Sequence, residues 1–512
     1  MTIRIKKILQ QYPFYPFLLP VFFLLHNYLQ YYGLVSAATA LKVLLQTEII
    51  FIASFFIFNV FTKNFQRSAQ IISLLGFMAL FYGVIKDFFS NILHFAFMAK
   101  YIVLLPVLLV LSLWLIIKIS RKKDFRQSNL FQNTLLCLFL LVEAIVLIKS
   151  GTNVFRQQNR LVKSNILNPD TLSAVAGRPD IYFLVFDSYP GTSLLKDYLH
   201  YDNAPFDSTL KSKGFYVAGH PQSNYNRTAL SMAATLNFEY LQNIPDQSKL
   251  EPKHYNQASL SIESAVVPAV FIHNGYRIYN LSFFDLAMHP SMMKENFLVL
   301  PEDKMLLYNT LIERFRRDVF WNFVMLYGNL HLSGQKKIPQ ELFTEESIRK
   351  RDFNNTLIDS VQKISLHNTL KPKFIYAHFY LPHPPFFYDR NGNSLTLDLV
   401  NVTQSMEQKE AFISYLEYTN KIILKIVNTI LINARVKPVI ALQSDHGYRD
   451  FKKDFIKPEQ YFRNYSSFYF PDGNYSMLYD TISNINTFPV IFNKYFKTNI
   501  RLQKDVSVFT GY

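Results

Sequence analysis

The chain has 512 residues, half of them hydrophobic, and carries a formal net charge of +16. This length allows more than one structural unit. The positive charge suits a surface close to anionic lipid headgroups, although solubility explains it nearly as well. The sequence contains no basic array or nucleic-acid-binding motif, which argues against nucleic acid as a partner. The single cysteine, Cys137, excludes a disulfide within the chain.

The first 150 residues are dominated by apolar runs, and each run approaches the roughly 17–25 residues that a helix needs to cross a bilayer. The first run is not expected to be a signal peptide, because no small-residue cleavage pattern follows it. We therefore predict a transmembrane module over residues 1–150, with spans near 15–33, 43–62, 70–89, 101–118 and 130–148.

The orientation of this module is predicted from the basic residues in its short loops. With the N-terminus inside, the outer loops carry only Lys42, Lys86 and Lys100, and five spans then place residues 150–512 outside the cytoplasm. If one weak span, 43–62 or 70–89, does not cross the membrane, residues 150–512 would lie on the cytoplasmic side instead. The inner loops carry Arg4, Lys6, Lys7, Lys63, Arg67, Lys118, Arg121, Lys122, Lys123 and Arg126.

The rest of the chain alternates between strand-like and helical runs. Residues 151–178 are rich in Asn, Gln, Gly and Pro and are predicted to form a juxtamembrane linker. The alternation over residues 179–512 predicts an α/β domain whose mainly parallel sheet is sandwiched by helices. The expected strands are 181–187, 215–219, 275–283, 373–379 and 437–444, and the expected helices are 228–241, 257–273, 303–327 and 408–433.

Two of these strands end in acidic residues. Asp187 closes the first strand, and the tetrad Ser444-Asp445-His446-Gly447 follows the last one. An Asp-His pair at a strand end is more often structural than functional. Two such strand ends, far apart in the chain, favour one divalent metal site assembled from distant segments.

Thr228 opens an apolar helical run, so its hydroxyl is expected at a helix N-terminus, where anions are favoured. From this segment alone an ordinary capping threonine is the simpler interpretation. The order Asp187, Thr228, His378-Phe-Tyr-Leu-Pro-His383-Pro-Pro-Phe386 and Ser444-Asp-His-Gly447 resembles the alkaline phosphatase superfamily. The similarity is to its sulfatase-like, membrane-anchored branch, which includes phosphoethanolamine transferases and lipoteichoic acid synthases.

This resemblance implies roles for five residues. Thr228 would be the nucleophile and also a metal ligand, together with Asp187, Asp445 and His446. Three oxygens and one nitrogen suit zinc or manganese. His383 would contact the substrate phosphate. His378 is more simply interpreted as a packed histidine at a strand end.

Three departures from the family pattern limit the activities that we expect. No histidine follows His446, which favours one metal ion over two. Asp187 is followed by Ser188, where sulfatases usually have a second Asp. Ser223-Asn-Tyr225-Asn-Arg227 has Tyr225 where the sulfatase maturation motif needs Pro, which disfavours sulfatase activity.

The leading hypothesis is a metal-dependent phosphotransferase or phosphodiesterase of the inner membrane that acts on phospholipid or glycan substrates of the cell envelope. The alternatives are a sulfatase or phosphomonoesterase, a catalytically inactive envelope-assembly protein, and, more weakly, a transporter using Lys86, Asp87 and Glu143. The arginine-rich helix predicted at 303–327 packs either on the membrane surface or on the domain core. The sequence leaves the oligomeric state open.

Overall fold

The computed structural model describes residues 3–150, 178–293, 300–320, 340–367, 369–395, 408–449 and 457–511. Contacts divide the chain into two compact units, residues 1–159 with 300–338, and residues 160–299 with 339–512. Apart from Arg178, the predicted linker at 151–178 lies outside the described residues.

The first unit is a bundle of apolar helices. Three of them, α3, α6 and α7, are each long and apolar enough to cross a membrane. Two bent pairs, α1 with α2 (96°) and α4 with α5 (59°), raise the number of spans to as many as five. The bundle therefore accommodates the predicted set of membrane helices. Its helices are α1 (Ile3–Gln11), α2 (Tyr15–Gln30), α3 (Ala37–Thr62), α4 (Phe65–Leu80), α5 (Tyr82–Asp87), α6 (Tyr101–Arg121) and α7 (Arg126–Ser150), and a π-helical turn (Phe88–Ile92) follows α5.

Side-chain caps explain where two of these helices begin. The Ser36 hydroxyl accepts a hydrogen bond from the amide of Thr39 at the start of α3. Asn64 accepts from the amides of Gln66 and Arg67 at the start of α4. Such caps satisfy backbone donors that the first helical turn leaves without partners, so the break between the two helices is fixed locally.

The ionisable residues considered for transport all have partners. Lys86 Nζ lies 2.8 Å from Asp318 Oδ2, Asp87 pairs with Arg314, and Glu143 Oε1 lies 2.8 Å from His26 Nδ1. An unpaired charge is costly at membrane depth, and pairing offsets that cost. These contacts give the three residues a structural role in the bundle.

Residues 300–320, named here the 300–320 segment, pack within this first unit. Met305 and Leu306 join its hydrophobic core. Asn27 Nδ2 donates to the Leu306 carbonyl at 3.0 Å, and the Gly83 amide donates to the Asn309 carbonyl at 2.7 Å. The segment thus rests on the membrane helices, and the helix predicted at 303–327 is broken. It comprises two short helices, Glu302–Leu306 and Leu311–Phe315, and a π-helical turn, Arg316–Phe320, whereas residues 321–327 lie outside the described residues.

The second unit is built on a six-stranded sheet in the order β2-β7-β6-β1-β5-β4. Strands β6, β1, β5 and β4 are parallel, whereas β7 and β2 are antiparallel. The mainly parallel sheet was predicted correctly, but strand β7 in the C-terminal tail was not predicted. The strands are β1 (Ile181–Phe186), β2 (Tyr216–Val217), β3 (Ser248–Lys249), β4 (Arg277–Leu281), β5 (Lys373–Phe379), β6 (Val439–Gln443), β7 (Ser466–Tyr469) and β8 (Thr510–Gly511), with β3 and β8 forming a separate parallel pair.

The central strands are buried along their whole length, since every residue of β1, β5 and β6 is buried. Aromatic side chains pack on them: the rings of Phe186 and Phe379 stack at 4.6 Å, and the ring of Phe488 meets Phe183 edge-on at 5.0 Å. The predicted helix 257–273 is broken in two. The helices of this unit are α8 (Thr192–Leu199), α9 (Ala204–Ser212), α10 (Thr228–Asn237), α11 (Pro252–Glu263), α12 (Val266–His273), α13 (Gln340–Leu366), α14 (Gln408–Asn433) and α15 (Thr487–Tyr495), with 3-10 turns at Pro458–Phe462 and Asn484–Asn486.

We expect Asp318→Asn to destabilise the first unit by about 1–3 kcal/mol, because it leaves Lys86 and Arg317 without their shared counter-charge. Burial raises the pKa of Asp318, but hydrogen bonds from Lys86, Arg317 and Tyr101 outweigh it and lower the pKa to about 2. The pKa of Asp318 in the folded protein is below the ordinary value of 3.8. The ion pair therefore contributes its full stabilisation above pH 3.8, and this stabilisation is lost as the pH falls through about 2.

Thermal unfolding of the full-length protein in detergent measures this difference. Asp124→Asn is the matched control, because Asp124 pairs with Arg126 at 2.8 Å while both side chains are more than half exposed. Such a pair contributes little. Equal melting temperatures for the Asp318 variant and the parent would contradict the proposed role of this ion pair.

Candidate active site

The register of three central strands brings distant residues to one edge of the sheet. Val185 of β1 pairs with His378 of β5 on one side and with Gln443 of β6 on the other. Asp187 and Asp445 each follow two residues beyond this rung. Because all three strands are parallel, their carboxyl ends open on the same edge, where sites commonly form in open α/β sheets.

The four predicted metal ligands lie together at this edge. Thr228 Oγ1 is 3.2 Å from His446 Nε2. The same nitrogen is 3.3 Å from Asp445 Oδ2 and 3.8 Å from Asp187 Oδ1. All four residues are buried, with Thr228 the most exposed at 6%. The structure therefore juxtaposes residues that are up to 259 positions apart in the sequence.

His378 also belongs to this cluster. One ligand atom each from Asp187, His378 and Asp445 lies within 4.8 Å of the others, a grouping that can hold a metal ion. The histidine is fully buried and packs on Phe283 with ring centroids 4.5 Å apart. His378 is thus packed among aromatic residues, as predicted, but its position beside the two carboxylates was not predicted.

Each of the two histidines directs one ring nitrogen towards the cluster. His446 Nδ1 lies 2.8 Å from the Gly447 carbonyl, which can only accept a hydrogen bond. A proton on Nδ1 is therefore assigned to this bond, and Nε2 is the ring nitrogen that faces Thr228 and the carboxylates. Burial lowers the pKa of His378 to about 4, so this imidazole is neutral near pH 7. Neutral imidazole is the form that binds metals.

Thr228 is the first residue of helix α10, and Arg227 precedes it with an extended backbone. Among the described residues, no side chain makes a capping hydrogen bond at this N-terminus. The free amides of the first turn and the helix dipole favour negative charge there. The Thr228 oxygen is thus placed where a developing alkoxide or a phosphate oxygen is stabilised.

Ser188, the residue that departs from the sulfatase pattern, holds both carboxylates in position. Its backbone lies in the left-handed region, with φ of 61°. Its amide donates to Asp445 Oδ1 and its hydroxyl donates to Asp187 Oδ1, each at 3.1 Å. A single residue thereby links the ends of β1 and β6 through neutral donors.

The C-terminal tail supports the loop Ser444–Gly447, and this role was not predicted from the sequence. Asn464 Nδ2 donates to the Ser444 carbonyl at 2.6 Å, and Asn484 Nδ2 donates to the carbonyls of Ser444 and Asp445 at 2.9 and 3.2 Å. A Cβ on Gly447 would lie 2.6 Å from the Arg463 carbonyl, so only glycine fits. The richness of the tail in Asn was the available signal, but its partners are distant in sequence.

His383 lies on the loop after β5. Its Nδ1 is 2.5 Å from the Pro384 carbonyl, and its ring centroid is 6.4 Å from that of Tyr380. Its contact with a substrate phosphate stays a prediction.

The residues at this edge fit a divalent metal ion. Asp445 Oδ2 and His378 Nε2 are buried and have no hydrogen-bond partner among the described residues. Buried polar atoms rarely lack partners, and a carboxylate without one is costly. A cation among two carboxylates and two imidazoles would satisfy these atoms.

Comparisons with known proteins find similarity in structure only. No family model matches the sequence, and no curated protein matches it. The integral membrane lipooligosaccharide phosphoethanolamine transferase A from Neisseria meningitidis is 11% identical, with 96% of this chain and 95% of that chain covered and a TM-score of 0.39.

Two further structures each cover about two thirds of this chain. The zinc complex of the periplasmic domain of EptC from Escherichia coli is 10% identical, covering 64% of this chain and 84% of that chain with a TM-score of 0.38. A putative sulfatase from Bacteroides fragilis is 13% identical, with coverages of 67% and 78% and a TM-score of 0.36.

We expect the full-length protein in detergent to bind about one divalent ion. Asp445→Asn and His446→Ala should abolish this binding, because each removes a ligand next to an uncompensated buried charge. His378→Ala should weaken it about 10–100-fold if its nitrogen contributes to the site.

Elemental analysis of the purified variants measures the number of bound ions, and metal titration measures the affinity. His220→Ala, at an exposed histidine, is the control and should bind as the parent does. Full occupancy in both the Asp445 and the His446 variants would show that the cluster is not a metal site.

Proposed function

We propose that this chain is a metal-dependent phosphotransferase or phosphodiesterase of the cell envelope, with Thr228 as its nucleophile. The observation that carries the proposal is the 3.2 Å contact between Thr228 Oγ1 and His446 Nε2, beside the carboxylates of Asp187 and Asp445. A hydroxyl is a weak nucleophile unless a base or a metal activates it. Here the hydroxyl faces the Nε2 atom of His446 within a buried, acidic cluster.

The reaction proceeds through the chain's own hydroxyl. Thr228 Oγ1 forms a bond to the phosphorus of a phosphodiester as the bond to the leaving alcohol breaks, and the proton released by Thr228 balances the one that the leaving alcohol takes up. Water or an alcohol then forms a bond to the phosphorus as the bond between phosphorus and Thr228 Oγ1 breaks. The proton that the attacking group loses balances the one that the Thr228 oxygen takes up. The N-terminus of α10 stabilises the negative charge near Thr228 in both steps.

A bound zinc or manganese ion would lower the pKa of the Thr228 hydroxyl and polarise the phosphoryl group. Asp187, Asp445 and His446 would hold it, and the position of His378 makes it a further candidate ligand. Ser188, Asn464 and Asn484 orient the loops that carry these groups, as outer-sphere hydrogen bonds commonly do around metal ligands.

Two features, His383 and the membrane helices, indicate what kind of substrate the enzyme would bind. His383 is proposed to contact the transferred phosphoryl group from the loop after β5. The spans confine the enzyme to a bilayer, which suits a phospholipid donor, with a glycan, a lipid or water as the acceptor. The buried tyrosine of Ser223-Asn-Tyr225-Asn-Arg227 occupies the position where sulfatase maturation needs Pro, so ester hydrolysis of sulfates is not expected.

We further propose that the protein is a multi-pass protein of the inner membrane and that its second unit lies outside the cytoplasm. The support is the excess of Lys and Arg in the loops assigned to the inside.

Thr228→Ala should reduce turnover of a phosphodiester at least about 10³-fold, because no other hydroxyl replaces the nucleophile. Thr228→Ser should retain partial activity. With acceptor withheld, mass spectrometry of the parent should find a phosphoryl group or phospho-headgroup on Thr228.

Thr235→Ala is the matched control, since Thr235 is a buried threonine on the same helix whose hydroxyl donates to the Ser231 carbonyl. It should keep the parent rate despite a stability cost of about 1 kcal/mol. Parent-level turnover by Thr228→Ala would disprove the nucleophile. A parent that binds metal but processes no phosphate or sulfate ester would instead support the inactive envelope-assembly protein.

A reporter enzyme that folds only outside the cytoplasm should be active when fused after residue 150. Fusions after Lys63, in a loop assigned to the inside, should be inactive, and fusions after His94, in a loop assigned to the outside, should be active. Activity after Lys63 and none after residue 150 would reverse the proposed orientation.

A further inference from the structure

An apolar groove lies where the 300–320 segment meets the beginning of α6. It has a volume of about 600 Å³ and is lined by Leu105, Leu311, Ile312, Phe315 and Arg316. Ile312 is 75% exposed and Phe315 is 42% exposed. Grouped apolar side chains of this kind are costly in water. The groove therefore suits an apolar ligand.

The position of the groove indicates what surrounds it. Leu105 belongs to the second turn of α6, which is one of the three helices that meet the length and apolarity of a membrane span by themselves. The groove is thus at the end of a span, at the level where acyl chains meet lipid headgroups. Phospholipid is the abundant amphiphile at that level.

The charges at the rim complement a phosphate. Arg316 Nη2 lies 2.8 Å from Glu313 Oε2, and Lys304 Nζ lies 2.7 Å from Glu313 Oε1. One carboxylate therefore faces two cations, which leaves one positive charge in excess. The Arg316 side chain is 54% exposed, whereas that of Glu313 is only 9% exposed. The accessible group at the rim is the guanidinium, which binds phosphate well.

The groove is formed by groups that are fixed in place. The hydroxyl of Tyr101, at the start of α6, lies 2.9 Å from the Arg314 carbonyl and 2.8 Å from Asp318 Oδ2, and its single proton can be donated to either of them. Its ring meets that of Phe315 edge-on at 6.3 Å. Because these contacts order the wall before any ligand arrives, binding there loses little conformational freedom.

We propose that this groove binds one phospholipid, with an acyl chain against Leu105, Ile312 and Phe315 and the phosphate at Arg316. The proposal adds a lipid-binding site in the membrane module and is independent of the chemistry at Thr228.

The test is photolabelling of the full-length protein in detergent with phosphatidylglycerol that carries a diazirine in its acyl chain. Diacylglycerol with the same chain is the comparison that lacks a phosphate. We expect label on the peptides that contain Leu105 and residues 311–315. Arg316→Gln should weaken labelling by the phospholipid about tenfold, as expected for loss of a charge-assisted hydrogen bond, and leave diacylglycerol labelling unchanged.

Further variants distinguish the contribution of the Arg316 charge to lipid labelling from that of the apolar side chains. Arg316→Lys should keep most of the phospholipid labelling, and Ile312→Gln should reduce labelling by both lipids. The matched controls are Arg351→Gln, at an exposed arginine paired with Asp352, and Ile57→Gln, at an exposed residue of α3, and both should label as the parent does.

Two results would overturn the proposal. One is label spread evenly over the exposed spans and unaffected by Arg316→Gln and Ile312→Gln. The other is a crosslinked dimer through residue 312 with no lipid label there, which would assign the groove to a second copy of the chain. Thr228→Ala should label as the parent does, so a failure of the lipid site and a failure of the proposed catalysis are distinguishable.

Discussion

The site depends on the pairing register of three parallel strands. Val185 is paired with His378 on one side and Gln443 on the other, so Asp187 and Asp445 emerge at equal distances beyond one rung. A slip of one residue would turn every side chain of a strand to the opposite face. Burial of β1, β5 and β6 on both faces makes such a slip costly, and the same burial excludes water from the groups at the strand ends.

Much of this arrangement follows from local sequence. Unbroken apolar runs identify β1, β5 and β6, and polar residues directly after β1 and β6 mark a site at their carboxyl ends. The place of His378 was not predictable in this way, because a histidine among aromatic residues has the same local pattern whether it packs or binds. Its proximity to Asp187 and Asp445 results from β5 lying next to β1, which a single strand cannot reveal.

The features that were not predicted are those in which segments far apart in the sequence come into contact. Asn464 and Asn484 belong to a tail that carries no local motif, yet they hold the carbonyls of Ser444 and Asp445. The 300–320 segment has the apolar and arginine-rich composition of an interfacial helix, which left two packing surfaces open. The segment instead packs on the membrane bundle through bonds from Asn27 and Gly83, and both bonds end on backbone carbonyls of the segment, which no side-chain pattern encodes.

Two buried carboxylates close together are unfavourable without a counter-charge, and the chain reduces that cost only in part. Ser188 supplies neutral donors to one oxygen of each carboxylate, whereas Asp445 Oδ2 accepts no hydrogen bond within the described part of the chain. A permanent lysine or arginine in this position would complete the pairing and occupy the space. Leaving the oxygen open instead would keep the negative potential available to a cation from solution, so that the proposed metal affinity would be obtained at the expense of stability in the metal-free protein.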